Sequence, residues 1–350
     1  MSEAMPELAR QTTDPRDRGG PRQPLLTVEG LTRHFHIRNL AGGRSATVHA
    51  VDGISFAVEK GEVLGVVGES GCGKSTTARL LMHLIQPDAG TMVFDGDPVG
   101  SAGIRVADLR RQMQMVFQDS SASLNPRMSI AECIGFAPRM HGASRKDVAE
   151  RVFALLKRVG LEPAQFANRF PHELSGCQRQ RVNIARALAL EPRLIILDES
   201  VSALDKSVEA QILNLLMELK EEFSLTYIFI SHDLNVIEYV ADRILVMYLG
   251  QIVETGPVEE VYAAPRHPYT RALLSSKPSL DPRKRTLAPP ITGDPPNPVD
   301  PPPGCRFRQR CDLAEAVCAA RMPALEPVGE GHSVACLMCQ PASGHSKAAA

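Results

Sequence analysis

Gly68-Glu69-Ser70-Gly71-Cys72-Gly73-Lys74-Ser75 fits the pattern G-x-x-x-x-G-K-S, a spacing suited to phosphate. Glycines let a backbone turn tightly and point its N–H groups inward around an anion. Lys74 is placed to reach the β- and γ-phosphates of a nucleotide. Ser75, with Thr76 behind it, is placed to hold Mg2+. The pattern carries weight only between a buried strand and a helix. Here VLGVVG precedes it, apolar throughout, and STTARLLMHLI follows with helical spacing. The start of that helix adds partial positive charge where the phosphates would lie.

A second group of candidates ends another apolar run, Leu194-Ile195-Ile196-Leu197-Asp198-Glu199. Asp198 suits a Mg2+ ligand. Glu199 suits a general base that polarises the attacking water. A strand ending in two carboxylates is also what a plain solvated strand end looks like, so this pair gains meaning only beside the phosphate loop. A third group is Leu174-Ser175-Gly176-Cys177-Gln178-Arg179-Gln180-Arg181 before VNIARALAL. Ser175 and Gly176 open a predicted helix, where free N–H groups and a hydroxyl can face an anion.

The elements that must position these residues read as an α/β layer fold. VLGVVG, RLIILD and TYIFISH are fully apolar and predict buried parallel strands. ARLLMHLI, VFALLKRVG and EAQILNLLMELKEEF carry helical spacing. Strands alternating with helices give a mostly parallel sheet. Before the loop, LLTVEGLTRHFHI and ATVHAVDGISFAVEKGE alternate apolar and polar residues, predicting an N-terminal antiparallel β subdomain. Residues 120–189 lack buried-strand signals and predict an inserted helical subdomain. The expected layout is a tail over 1–24, a core over 25–265 and a small Pro- and Cys-rich C-terminal region over 266–350. Ten of the 26 residues from 278 to 303 are proline, an extended linker or wrapping arm. A cysteine cluster over 305–339 follows it.

The chain has 350 residues, 43% hydrophobic and 23% charged, with a net charge of -1. That is enough apolar material for a real core. The charge balance gives no footprint for nucleic acid or for anionic lipid. No run approaches the roughly 18 apolar residues of a membrane helix. Residues 1–24 have four prolines and no apolar core, unlike a secretory signal. The expected compartment is the cytosol, with any membrane contact made through a partner. In that compartment clustered cysteines point to metal binding sooner than to disulfides.

In order along the chain, these marks resemble the ABC ATPases. The segment LSGCQ is similar to their LSGGQ signature. The resemblance implies ATP and Mg2+ as cofactors and a P-loop ABC ATPase core. It places Phe35 as the aromatic stacking on adenine. It makes Gln118 the loop glutamine that senses Mg2+ and couples to membrane subunits. Ser202-Ala203-Leu204-Asp205 would be the loop crossing a dimer interface, and His232 the switch histidine near the γ-phosphate. Ser175, Gly176 and Gln178 would close on the nucleotide of a second subunit. The signature's second glycine is Cys177 here, and a side chain at a close approach to phosphate costs space. The composite site served by this signature is therefore expected to be the weaker of an asymmetric pair.

The resemblance narrows further on MVFQDSSASLNPRMSI, on Pro265-Arg266-His267-Pro268-Tyr269-Thr270-Arg271-Ala272-Leu273, and on Cys305-Arg306-Phe307-Arg308-Gln309-Arg310-Cys311 with Cys318 and Gly331-His332-Ser333-Val334-Ala335-Cys336. Together these look like the ATPases of dipeptide and oligopeptide importers, a group whose relatives also carry nickel. The resemblance implies a second, different ATPase subunit, two permease subunits and an extracytoplasmic solute-binding protein, at the cytoplasmic face of the membrane. Cys305, Cys311, Cys318 and Cys336 lack the close pairs of a zinc ribbon. Four thiolates spaced this way suit an iron–sulfur cluster, and the resemblance favours [4Fe–4S]. Zinc and free thiols remain the alternatives, and Cys339 is left over. A GTPase or kinase loop, a module without turnover, and a non-transport ABC ATPase are the rival functions. The signature, the pair Glu199 and His232, and the shortness of the stretch from Gln118 to Ser175 argue against each in turn.

Overall fold

The computed structural model describes residues 20, 23–37, 46–100, 103–202, 204–276 and 297–348. The predicted tail apart from residues 20, 23 and 24, the Pro-rich linker from 278 to 296, and Ala203 lie outside them.

In chain order the strands are β1 (Leu26–Ile37), β2 (Ala46–Val58), β3 (Val63–Val67), β4 (Ala89–Phe94), β5 (Asp97–Pro98) and β6 (Met113–Val116). They continue with β7 (Leu194–Asp198), β8 (Thr226–Ile230), β9 (Arg243–Tyr248), β10 (Gln251–Pro257), β11 (Glu326–Gly329) and β12 (His332–Val334). The helices are α1 (Lys74–Leu81), α2 (Val106–Gln112), α3 (Ile130–Met140), α4 (Arg145–Arg158), α5 (Pro163–Phe166) and α6 (Gly176–Leu188). After them come α7 (Lys206–Phe223), α8 (Leu234–Val240), α9 (Val258–Ala263), α10 (Pro268–Ser275) and α11 (Ala316–Ala320).

The three apolar runs are central strands. Every residue of β3, β7 and β8 is buried, as a strand covered on both faces must be. The main sheet runs β11-β12-β10-β9-β3-β8-β7-β6. Pairing is parallel from β6 to β9 and antiparallel through β10, β12 and β11. The alternating N-terminal segments form the second sheet, antiparallel, in the order β2-β1-β4-β5. Its apolar face packs with α1 and the opposite side of β3 in one core cluster. A buried ion pair bolts the sheets together: Arg193, beside β7, meets Asp95, beside β4, at 2.7 Å.

Between Ser120 and Ala189 the described elements are all helical, as the sequence predicts. Ser129, Ser144 and Ser175 cap α3, α4 and α6, each side chain accepting from a backbone N–H three residues on. Such caps are each worth about 1 kcal/mol.

The break expected at residue 265 is not where the sheet ends. β12 pairs with β10, Glu254 opposite Val334, and β11 extends the edge. The C-terminal region is thus stitched into the ATPase sheet. Glu254 is fully buried and fastens the join. Its carboxylate accepts from the Arg266 and His267 backbone N–H groups at 2.7 and 3.0 Å and meets His332 Nε2 at 2.9 Å. The end of the proline-rich arm behaves as a wrapping segment: His49 N–H donates to Pro298 O at 3.0 Å and Asp300 N–H to Thr47 O at 2.9 Å.

Candidate active site

The phosphate loop leaves β3 at Val67 and enters α1 at Lys74. Gly68, Gly71 and Gly73 have φ of 150°, 78° and 113°, the region that favours glycine. Gly68 and Gly73 also have no room for a side chain. A Cβ on Gly68 would lie 2.3 Å from the Met247 carbonyl oxygen, and one on Gly73 2.3 Å from that of Ala50. Ser70 and Gly71 form an exposed crest, while Cys72 turns inward and burial pushes its thiol up. Lys74 is buried beneath this crest, its ammonium donating to Gly68 O at 2.7 Å and Glu69 O at 3.1 Å. Thr76 is half-buried on α1.

Ser75 Oγ donates to Asp198 Oδ1 at 3.0 Å. Burial raises the Asp198 carboxyl above the usual range; the Ser75 hydroxyl pulls it down, and neighbouring Glu199 pushes it up. A dication between Ser75 and Asp198 would reverse that balance. Glu199 is held in the left-handed region at φ 46°, its N–H donating to Ile230 O at 3.0 Å. A non-glycine residue kept there costs about 1 kcal/mol or more and often marks a functional site. Its Oε2 accepts from Gln118 Nε2 at 2.7 Å and lies 3.6 Å from His232 Nδ1. Gln118 follows β6, Glu199 follows β7 and His232 follows β8, so three adjacent parallel strands deliver these groups at one end of the sheet.

Phe35 is 37% exposed on β1, with the Arg33 guanidinium 4.9 Å from its ring centroid. Its pairing partner Val48 lies just before Ala50, whose carbonyl backs Gly73. Ser175 and Gln178 close a capping box: Gln178 N–H donates to Ser175 Oγ at 3.3 Å, Ser175 N–H to Gln178 Oε1 at 3.0 Å. Gly176 faces open space. Cys177 lies inside α6, half-buried, and packs against the core of the main sheet. Asp205 occupies the N-cap position of α7 without a capping bond from its side chain. One chain therefore joins residues 68–76, Gln118, Asp198, Glu199 and His232, whereas the hydrogen bonds of Ser175 and Gln178 stay within their own turn.

Residues 51–202 match the family model described as ABC transporter, and residues 253–318 match that of the oligopeptide/dipeptide transporter C-terminal region. A probable peptide ABC transporter ATP-binding protein of Sinorhizobium fredii is 50% identical over 91% of both chains. This chain belongs to the ATP-binding subunits of ABC transporters. The oligopeptide transport ATP-binding protein OppF of Escherichia coli is 47% identical, over 91% of this chain and 98% of its own. The ABC protein cbiO1 of Clostridium perfringens superposes with a TM-score of 0.59 at 31% identity, covering 69% of this chain and 91% of that one. An ATP-binding cassette solved as a dimer with ADP and Pi superposes at 0.58 with 28% identity, covering 67% and 98%. This ABC subunit is accordingly an ATPase.

The chain's C-terminal region holds what the sequence reading missed. Glu69, on the phosphate loop, donates its N–H to Tyr269 Oη at 2.9 Å, and its carboxylate is gripped by Arg310 at 2.7 and 3.0 Å. The crowded arginines of Cys305–Cys311 were the available signal. Cys305, Cys311, Cys318 and Cys336 line one narrow, largely apolar cavity of about 20 Å3, with Phe307, Leu337 and Met338. Cys339 stands outside it but is not idle. It shares a hydrogen bond with Cys336 that raises the Cys336 thiol and lowers its own to about 7. Cys336-Leu337-Met338-Cys339 is a C-x-x-C spacing that pairing Cys336 with the three upstream cysteines had hidden.

Proposed function

We propose that this chain powers the import of di- and oligopeptides from the cytoplasmic face of the cell membrane. The observation that carries the substrate class is the C-terminal match over residues 253–318, supported by relatives named for peptide import. The subunit works with permease subunits and dimerises as ABC cassettes do. Among its described residues no helix is long and apolar enough to cross a membrane. In our reading the partner cassette is a different chain, the permease has two subunits, and a solute-binding protein delivers the peptide.

ATP lies between Phe35 and residues 68–76, with Ser175, Gly176 and Gln178 of the other cassette closing on its γ-phosphate and Asp205 at the interface. Ser75 and Asp198, with Gln118 nearby, would hold Mg2+, which neutralises charge developing on the transferred phosphoryl group. Glu199 takes a proton from the attacking water while Gln118 orients its carboxylate. His232, at the neighbouring strand end, faces the same phosphate. Lys74 moves from the carbonyls of Gly68 and Glu69 to the β- and γ-oxygens. Hydrolysis leaves ADP and phosphate, and the closed pair of cassettes opens.

Cys305, Cys311, Cys318 and Cys336 would hold a [4Fe–4S] cluster as a structural staple. The donor chemistry fits: four thiols around one apolar cavity.

The test is the assembled transporter in liposomes with labelled dipeptides, tripeptides and Ni2+. We expect ATP-dependent accumulation of peptide, competed by unlabelled peptide and unaffected by Ni2+. Nickel uptake without peptide uptake overturns the substrate; absence of ATP turnover in the intact complex overturns the whole reading.

A further inference from the structure

The phosphate loop is secured at two points by the segment between Cys305 and Cys311, at one directly and at the other through a neighbouring turn. The first is Glu69, the second residue of the loop. Its carboxylate receives both terminal nitrogens of Arg310, at 2.7 and 3.0 Å, across 241 positions of sequence. A two-pronged guanidinium–carboxylate pair fixes orientation as well as distance. Arg310 is nearly buried, its side chain 6% exposed, and Glu69 is 24% exposed, so solvent screens this pair less than a surface one.

The second point is the far end of the loop. Gly250 N–H donates to Cys72 O at 2.8 Å. The turn that presents Gly250 is strained, with Leu249 at φ 43°. Arg306 holds that turn: its guanidinium donates to Leu249 O and pairs with Asp52. Between the two arginines, Phe307 sits against Tyr248 and Tyr269, ring centroids 5.3 and 5.5 Å away. The Tyr269 hydroxyl accepts the Glu69 N–H. One short stretch thus secures the loop's first turn directly and its last turn through residues 249–250.

We propose that Cys305–Cys311 is a brace for the phosphate loop, with Arg310 and Arg306 as positioning residues that hold it in its nucleotide-receiving form. Neither arginine touches the reacting atoms. Arg310 turns the Glu69 carboxylate away from the crest, so that a negative charge does not face the incoming phosphates. Without that grip the carboxylate is free to swing toward them and the loop samples other shapes, each of which weakens ATP binding. The brace rests on the nucleotide site described above, and makes ATP affinity depend on the C-terminal region being folded in place.

The experiment uses the full chain in its assembled transporter, measuring KM for ATP, kcat at saturation and the Kd of a fluorescent ATP analogue. Arg310→Ala should raise KM and Kd about tenfold or more while kcat at saturation stays within about threefold of wild type. Arg310→Lys, which keeps the charge and loses the fork, should fall between. Glu69→Ala should bind ATP better than Arg310→Ala, because it removes the charge that the arginine restrains. The exchange Glu69→Arg with Arg310→Glu should recover most of the lost affinity. Arg308→Ala, whose guanidinium bonds among the described residues to the carbonyls of Pro303 and Cys305, should leave KM unchanged. Wild-type KM and Kd in Arg310→Ala, with the C-terminal region still folded by limited proteolysis, overturn the brace. So does a loss confined to active fraction and melting temperature, with Kd of the survivors unchanged. If Arg310→Ala does not fold, the same comparison is made with Arg310→Lys. A wild-type complex that turns over no ATP sinks the nucleotide reading itself, a separate result.

Discussion

Gln118 donates its side-chain amide to Glu199, Nε2 to Oε2 at 2.7 Å. The bond joins the loop after β6 to the end of β7. Gln118 also begins the stretch leading into the helical subdomain, where Asp119 accepts the N–H groups of Ser121 and Ala122 at 2.8 and 2.9 Å. A shift of that subdomain therefore moves the group that aims the carboxylate. Glu199→Gln keeps the shape and the left-handed backbone but cannot take a proton. It should bind ATP with near-wild-type affinity and lose about 10²–10⁴ in kcat, with ATP retained on the complex. Gln118→Ala should lose less, because the base remains and only its orientation is freed. Single-turnover hydrolysis beside ATP-binding titration checks both, and wild-type turnover in Glu199→Gln would remove Glu199 from the mechanism.

Asp198 makes a prediction of opposite sign for stability and activity. Its carboxyl is raised by burial and by Glu199. An acid whose folded pKa lies above its unfolded value binds protons better when folded. Stability then falls as pH rises from the ordinary aspartate range, about 3.9, through the folded pKa, above which the cost is complete. Asparagine keeps an oxygen for the Ser75 hydroxyl without the charge. In EDTA and without nucleotide, Asp198→Asn should melt above wild type at pH 7.5, the gain shrinking toward pH 4. With Mg2+ and ATP the same variant should lose hydrolysis. Melting curves from pH 4 to 8 decide the first half: a gain that does not vary with pH would refer the effect to packing instead of charge.

The chemistry was legible where it is local. An apolar run before a glycine loop, and another before Asp198-Glu199, set the strands, and the adjacent ends of β6, β7 and β8 then bring Gln118, Glu199 and His232 together. Glu69 and Arg310 were not legible as partners. They lie 241 positions apart, and nothing about either residue alone announces the other. The same holds for β11 and β12, four and three residues long, too short for alternation to show. They are strands because the edge of β10 supplies the hydrogen bonds, and Glu254 fixes the register with a buried carboxylate that no periodicity predicts. The C-terminal boundary was placed at the segment that begins with Pro265, whereas the sheet follows pairing.

Cys177 sits in a local setting that the signature pattern alone does not give. A side chain in the signature was expected to crowd the phosphate approach and weaken one composite site. Cys177 instead occupies the first turn of α6, where helical φ suits any side chain, and packs against the main core. The open position beside it is Gly176, with nothing within 4 Å of where a Cβ would be. Gly176 is therefore the position of the signature that offers an open face to a second cassette. Cys177→Gly removes a half-buried side chain and places glycine in a helix, each destabilising, the second by up to about 1 kcal/mol. We expect a lower melting temperature and ATPase activity of the assembled complex within about twofold of wild type. Gly176→Leu, projecting into the open face, should cut activity severalfold while leaving ATP binding to the isolated subunit unchanged. A severalfold rise in turnover on Cys177→Gly would restore the view that the thiol obstructs the partner's nucleotide.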